Sequence, residues 1–600
     1  MKICIVTTPI RPTPTRFPPV GSMAIVQALR NNGEDVHFYN IDYHRYNHEE
    51  IYKHFKENRY DAVGISAVVS TAYAYSKYLS KIIKEINEKT IIFLGGGLAA
   101  SAEILHKKAG INYCVVGDGE IIVKNLINSI KQKKTTDEEL SKIKGITFID
   151  KFNNLQFTGY EHPLPAPLLE SPDYTILEDD KSIDHYINYA GGKRFDPNNK
   201  EKEINVRTAT VVVAKGCVAR CTFCHRFEKG YRVQPFQKVI DFIKMLKEKY
   251  NVGYLGIGDE NFGAYKKETT ELVNEFGKLG LSWTAGGVRA HTVDLEMLKH
   301  WKKNGCEAVI FGIESGSPRM LRVMEKKITL EQNIKALKNV YEANLSTVVQ
   351  LVVGMPGESD TTIGETIDFL KKTMKYYPDG LRKKISYTVS VNYAQALPGT
   401  PLYEYAREHG YLGKSMEQEE QYLLDISDKD AYDNDHFINY TKQPLLKVFT
   451  WRHRINWEMF REHAKINLKI DLSKTKILFG MFAIFTNKYL KTNIKSDLES
   501  KINEFKDDNY SSDYYNYQKR ARLLDGLRLL LPWNNLTYPF LCVLIAYYES
   551  DNIKWFFKLI IEHLIWNFKR FNPDDLPDIT LRKIVNITDD DATLELRKGR

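Results

Sequence analysis

Six hundred residues exceed what one hydrophobic core organises, so the chain is expected to fold as roughly three to four domains. Hydrophobic residues make up 43% and charged residues 27%, a balance that excludes wholesale disorder and fibrous repeats. Lys plus Arg number 85 against 76 Asp plus Glu; the resulting +9, spread over this length, does not mark a nucleic-acid binder.

The seven cysteines (Cys4, Cys114, Cys217, Cys221, Cys224, Cys306 and Cys542) are odd in number and form no disulfide framework, as in a reduced intracellular chain. The N-terminal MKICIVTTPIRP lacks the apolar stretch and cleavage site of a signal peptide. No window reaches the ~18–20 apolar residues of a spanning helix. The nearest, Leu531 to Tyr548, is interrupted by Asn534, Asn535 and Pro539. A cytoplasmic location is expected, with peripheral membrane contact left open.

Residues 1–135 alternate strand and helix signals. Apolar, partly β-branched runs (KICIVTT, EDVHFYNI, DAVGISAV, TIIFLGGG and INYCVVG) are separated by helix-period stretches such as Ser22–Asn31, Thr71–Ile86 and Ile121–Lys131. This predicts a Rossmann-like, doubly wound parallel sheet, whose ligands sit beyond the strands' carboxyl ends. Those ends are Thr7–Pro9, Ser66–Thr71, Gly95–Gly97 and Gly117–Glu120. A hairpin, Ile146–Asp150 with Leu155–Thr158, closes a first domain over 1–160. A connector over 161–205, with Pro163, Pro165, Pro167, Pro172 and Pro197, reads as an extended linker between domains.

From 206 to 410 the alternation resumes, with strands predicted at Thr208–Ala214, Tyr254–Ile257, Leu281–Ala285, Ala308–Gly312, Thr347–Val353 and Ser386–Asn392. Six strands separated by helices predict a partial (β/α)6 or full parallel barrel. Residues 411–600 read as a mainly α-helical, aromatic-rich C-terminal domain. In Ile553–Phe568, Lys554, Lys558 and Glu562 fall on one stripe, leaving a wide face of Trp555, Phe556, Phe557, Ile560, Ile561, Leu564, Ile565 and Trp566. Such a helix reads as buried core, with a membrane interface as the alternative. The fold class is therefore α/β with a helical C-terminal part.

Three cysteines lie together directly after a predicted strand: Lys215-Gly216-Cys217-Val218-Ala219-Arg220-Cys221-Thr222-Phe223-Cys224-His225. Three thiolates on one loop suit three corners of a four-iron cluster, leaving the fourth iron for an external ligand. A zinc site of the three thiolates with His225 competes, although His225 adjoins Cys224. The C-x-x-C-H run also matches a haem-attachment pattern, which leaves Cys217 unexplained.

Cys217-x3-Cys221-x2-Cys224, with Phe223 before the last cysteine, resembles the signature of the radical S-adenosylmethionine (SAM) superfamily, and Val218 stands where Pro is usual. The resemblance implies a partial barrel carrying a [4Fe-4S] cluster on Cys217, Cys221 and Cys224. Its open iron binds the amino and carboxylate groups of SAM, and one-electron reduction yields a 5′-deoxyadenosyl radical. It further implies SAM contacts at the strand ends. These are Phe223 on the cysteine loop, Asp259 and Glu260 toward the amino group, Arg289 toward the carboxylate, Glu314 and Ser315 toward the ribose, and Gly354 and Glu358 on the adenine side. Each end also reads as an ordinary strand-to-helix turn with a capping residue.

The N-terminal unit resembles the cobalamin-binding domain that precedes the radical core in one large subclass, as does Gln395–Tyr403 after the sixth strand. This implies cobalamin contacts from Thr8, Ser66, Ser70, Thr71, Gly95, Gly96, Gly97, Gly117, Asp118, Gly119 and Glu120. A generic nucleotide or flavin domain, or a bare scaffold, is the alternative. The D-x-H-x-x-G motif is absent: Asp35-Val36-His37 and Asp42-Tyr43-His44 imitate only its first half, so no histidine of this domain is expected on cobalt.

The resemblance implies a cobalamin-dependent radical SAM methyltransferase that moves methyl from methylcobalamin to an unactivated substrate atom, with no acid or base residue assigned. A radical cyclase or rearrangement enzyme using the same cofactors is the rival. A cobalamin-binding sensor with an inactive barrel is a reading of another class. Expected partners are a small-molecule or peptide substrate and an external electron donor such as flavodoxin or ferredoxin.

Overall fold

The computed structural model describes residues 1–11, 13–189, 207–225, 230–377, 389–427, 438–467, 542–543, 545–547, 553–568 and 581. The N-terminal sheet contains β1 (Lys2–Thr7), β2 (Asp35–Asn40), β3 (Ala62–Ser66), β4 (Ile91–Gly95), β5 (Tyr113–Val115), β6 (Ile146–Ile149) and β7 (Leu155–Phe157). Their spatial order is β2-β1-β3-β4-β5-β6-β7. The first five are parallel, and the β6–β7 hairpin adds antiparallel to β5.

Alternate residues of each strand feed opposite faces. Ile3 and Ile5 join one core with Met23, Val26, Ile122 and Leu126, while Cys4 and Val6 join another with Leu79, Ile83 and Leu105. Burial on both faces explains why the strands read as continuous apolar runs. The chain reverses its direction of winding at β1, which opens a crevice beyond the ends of β1 and β3.

The second sheet comprises β8 (Asn188–Tyr189), β9 (Arg207–Val211), β12 (Val252–Ile257), β13 (Ser282–Val288), β14 (Cys306–Glu314), β15 (Val349–Val353) and β16 (Val389–Tyr393). A two-residue ribbon of β10 (Ala214–Lys215) and β11 (Arg232–Val233) stands apart from it. From β9 to β16 all neighbours are parallel and the order is open, so six strands make a partial barrel; β8 adds antiparallel to β9. Residues 386–388 of the sixth predicted strand lie outside the described residues.

β9 stops at Val211, three residues before the sequence predicts. Side chains take its next backbone groups: Asp259 Oδ1 accepts the N–H of Val213 and Ala214, and Gln234 donates to the Val212 carbonyl. β13 and β14 run longer than predicted, to Val288 and Glu314. Beneath the end of β12, Phe262, Trp283 and Trp301 pack with ring centroids 5.3–5.8 Å apart, holding the Asp259–Asn261 turn in place.

Residues 161–189 of the connector are packed rather than loose, and 190–205 lie outside the described residues. Tyr174, Ile176, Leu177, Tyr186 and Ile187 are buried in a core that continues into both sheets. The short helix Met416–Asp425 returns to the N-terminal unit, where Glu420 accepts hydrogen bonds from Tyr73 and Lys77. Helix Leu445–Asn467 packs on the barrel, its Trp451 and Lys447 reaching Asp360. Helix Ile553–Phe568 overturns its core reading. Ile553, Phe557, Ile561, Leu564 and Ile565 are each at least half exposed, while Leu559 and His563 are buried, Leu559 in a cluster with Leu446, Phe449, Cys542, Ile545 and Ala546. Among the described residues no helix is long and apolar enough to cross a membrane.

Gly287 has φ +62°, and a Cβ there would lie 2.1 Å from the Asp259 carbonyl oxygen. Gly287→Ala should push β13 away from the β12 end and destabilise the protein by about 1–3 kcal/mol, read as a lower urea midpoint.

Candidate active site

The cysteine loop hangs from the β10–β11 ribbon, where Lys215 and Arg232 face each other. Its centre is pinned at three points through Thr222, which is fully buried. The Thr222 N–H donates to Met324 O at 3.0 Å, its hydroxyl donates to Val323 O at 3.1 Å, and its carbonyl accepts from Leu402 N at 3.0 Å. Phe223 packs beside Met320, Leu402 and Tyr403 and so serves the loop's core side.

Cys221 is buried and Cys217 half-buried, with the Ala219 N–H directed at Cys217 Sγ, 3.4 Å away. Cys224 keeps accessible surface, yet the surrounding protein pushes its thiol up to about 12 by desolvation. Burial also raises the Cys221 thiol. Among the described residues no three His, Cys, Asp or Glu groups converge on a single ion position. A four-iron cluster asks instead for three separate corners, which one loop carrying three neighbouring thiols fits.

The barrel strand ends gather around these thiols. Glu260, Glu314 and Lys326 act electrostatically on Cys224, and Lys326, Glu314 and Arg289 on Cys221. Asp259 is buried with Oδ2 unpartnered, and desolvation pushes its carboxyl up to about 7. Arg289 is 7% exposed; Nη2 donates to Lys326 O at 2.6 Å, while Nε has no partner. A buried, unmatched carboxylate oxygen and guanidinium N–H in one cleft are the complement of a ligand carrying an ammonium and a carboxylate.

Glu314 sits at φ +66°, and the two neighbours of Lys326, Glu325 and Lys327, at +48° and +51°. Three non-glycine residues in the left-handed region surround one ion pair, Lys326 Nζ to Glu314 Oε1 at 2.8 Å. Burial works against the Lys326 charge, but Glu314 and Cys221 more than offset it and its pKa rises. Ser315 and Glu358 are held by hydrogen bonds around the ends of β14 and β15. Ser315 Oγ accepts from the Ser317 N–H and meets Thr366 Oγ1. Glu358 Oε2 accepts from the N–H groups of Gly354 and Met355, and desolvation pushes its carboxyl up to about 8.

In the N-terminal unit, Thr8 Oγ1 donates to Ser66 O at 3.0 Å across the crevice, and Thr71 donates to Ile10 O. Ser70 is buried beside it. Gly95 ends β4, and Gly96 and Gly97 follow. A Cβ on Gly97 would lie 2.6 Å from Val68 O and 3.3 Å from the His225 ring; one on Gly399 would lie 2.9 Å from the same ring. The imidazole next to Cys224 is thus lodged between the end of β4 and the turn after β16, and burial lowers its pKa to about 4, leaving it neutral. Gly117 and Gly119 flank Asp118 in the turn after β5, where Asp118 and Glu120 face Lys215 and Arg232. His37 meets Tyr60 Oη at 2.8 Å, and His44 meets the Asp180 carbonyl at 2.9 Å.

Lys326, Thr222 and the contact between His225 and Gly97 escape sequence reasoning. Lys326 lies in an unremarkable charged run, and only the folded turn aims it inward.

Residues 211–370 match the profile of the Radical SAM superfamily, and residues 8–127 that of the B12 binding domain. An uncharacterized methyltransferase of Pyrococcus horikoshii is 28% identical over 68% of this chain and 83% of its own length. The anaerobic magnesium-protoporphyrin IX monomethyl ester cyclase of Rubrivivax gelatinosus is also 28% identical, over 51% of this chain and 53% of its own length. The solved structure of the radical SAM methyltransferase TsrM from Kitasatospora setae, with cobalamin and a [4Fe-4S] cluster bound, shares the fold. Its TM-score is 0.52 at 17% identity, covering 69% of this chain and 79% of that one.

Because the folded Asp259 holds its proton above the usual carboxylate range, its charge opposes folding. Stability tied to it is complete below about pH 4 and is lost as pH rises toward 7. Asp259→Asn keeps an acceptor for Val213 and Ala214 and should flatten this loss. In the cofactor-free protein the variant should gain up to about 4 kcal/mol over the parent at pH 8, with no gain at pH 4, in urea titrations.

Both profiles are matched in order along one chain, over the doubly wound sheet and the partial barrel they describe: the protein carries a B12 binding domain followed by a domain of the Radical SAM superfamily.

Proposed function

We propose that this protein is a cobalamin-dependent radical SAM methyltransferase acting on a small-molecule substrate. The observation that carries this reading is the close approach of His225, next to Cys224, to Gly97 after β4, where a Cβ would lie 3.3 Å from the imidazole. It brings the thiol loop of the barrel to the ligand-binding edge of the B12-binding domain. Cys217, Cys221 and Cys224 hold the cluster. Asp259 and Glu260 receive the SAM ammonium, and Arg289 with Lys326 receives its carboxylate. Glu314, anchored through one oxygen by Lys326, turns toward the ribose, and Gly354 lets the adenine approach. Thr8, Ser66, Ser70, Thr71, the Gly95–Gly97 run, Gly117 and Gly119 form the bed for the corrin.

When bound, the cluster and SAM supply a 5′-deoxyadenosyl radical for hydrogen abstraction, and cobalamin carries the methyl group. The chain's own work is placement: it holds both groups and the substrate in one walled cleft with reacting atoms aligned. An external one-electron donor such as flavodoxin or ferredoxin belongs to this reading. A cyclase using the same cofactors is the second reading, supported by the Rubrivivax relative at equal identity.

Cys221→Ala should lose the cluster's iron, its visible absorption and all SAM cleavage, while hydroxocobalamin binding persists. A variant that still forms 5′-deoxyadenosine overturns the cluster assignment. With methyl-labelled SAM, label appearing in product establishes methyl transfer; 5′-deoxyadenosine forming with unlabelled product selects the cyclase.

A further inference from the structure

The turn after β5 carries a carboxylate that faces away from its own sheet. Asp118 is 2% exposed at its side chain. Oδ2 accepts from Arg232 Nη1 at 2.7 Å and from the Leu164 N–H at 2.8 Å, and Oδ1 lies 3.5 Å from Lys215 Nζ. Glu120 completes the group, its Oε1 2.7 Å from Lys215 Nζ. Among the described residues, two carboxylates thus meet two cations. The cations are not scattered along the barrel. Lys215 immediately precedes Gly216-Cys217, and Arg232 is its partner across the ribbon that closes the thiol loop.

We propose that Asp118 is an interdomain latch. It is a positioning residue that holds both necks of the cluster-bearing loop against the B12-binding domain and so sets the spacing between the two cofactor sites. The role goes beyond the methyltransferase reading but rests on it for its purpose. Held at its base by Asp118 and at its tip by His225 between Gly97 and Gly399, the loop is referenced to the N-terminal sheet as well as to its own barrel. Radical transfer between two separately bound groups tolerates little misplacement, roughly 1 Å before rates fall by orders of magnitude. A partly buried ion cluster suits the task, because removing one member leaves its partners uncompensated and the joint loosens sharply.

This assignment differs from a cobalamin contact for Asp118, because both of its oxygens are directed at barrel cations and at the connector. Four variants separate the two: Asp118→Asn, Lys215→Met, Arg232→Met and the conservative Lys215→Arg. The first readout is hydrogen exchange of segment 216–225 in the cofactor-free full-length protein. The latch predicts exchange about tenfold faster or more in the first three variants and near-parental exchange in Lys215→Arg. The second is the magnetic coupling between cob(II)alamin and the reduced cluster in reconstituted protein, which should weaken or broaden in the same three.

Parental exchange in both Asp118→Asn and Lys215→Met overturns the latch. So does a loss of hydroxocobalamin binding confined to Asp118→Asn with exchange unchanged, which makes Asp118 a cofactor contact. If the parent protein takes up neither cluster nor cobalamin, the methyltransferase reading fails by itself, and exchange in the cofactor-free protein still decides the latch.

Discussion

The structure depends on two parallel sheets sharing one apolar core. Ile3, Met23 and Ile122 of the first unit and Ala209, Val211 and Leu255 of the second belong to a single buried cluster. The joint is the connector, whose Tyr174, Ile176, Leu177, Tyr186 and Ile187 fill the space between them. Polar bonds fix its registration: Asn40 donates to Tyr186 Oη and to Asp180, and Tyr174 Oη donates to the carbonyl of Thr210 in β9. Apolar burial supplies the adhesion and these directional bonds supply the angle. With the angle fixed, the carboxyl ends of both sheets look into the same cleft.

Within that cleft, loops are tied to one another more than to their own strands. Thr222 joins the thiol loop to Val323 and Met324, and those residues lead directly into Lys326. Arg289 then closes the circuit by donating to the Lys326 carbonyl. The left-handed backbone at Glu314, Glu325 and Lys327 is tolerated because this web over-determines it. A site assembled this way keeps buried, unmatched polar atoms such as Asp259 Oδ2 and Arg289 Nε ready for a ligand.

Much of this was legible in the sequence, unevenly. The strand alternation was readable because both faces of a parallel sheet are buried, which leaves an apolar run for each strand. β9 ends before its apolar run does because side chains 22 and more residues away, Gln234 and Asp259, take over its backbone groups. Ser315 and Glu358 occupy the expected strand ends, where Ser315 Oγ meets the Ser317 N–H and Thr366, and Glu358 Oε2 accepts from the N–H groups of its turn. The wide apolar face of Ile553–Phe568 read as core, but burial depends on what lies opposite, and helix periodicity carries no information about that.

The sequence by itself determined the Cys217-x3-Cys221-x2-Cys224 spacing, its place after a strand, the order of the two α/β units and the small or polar residues at their strand ends. These are short-range properties, set by periodicity, turn chemistry and ligand spacing within one segment. Only the tertiary structure decided that the thiol loop meets Gly97 through His225, that Lys326 stands beside Cys221, and that Asp118 faces the barrel. Each of these joins side chains across about 100 residues or more of chain, and such pairs follow from how whole sheets pack, which no local pattern encodes.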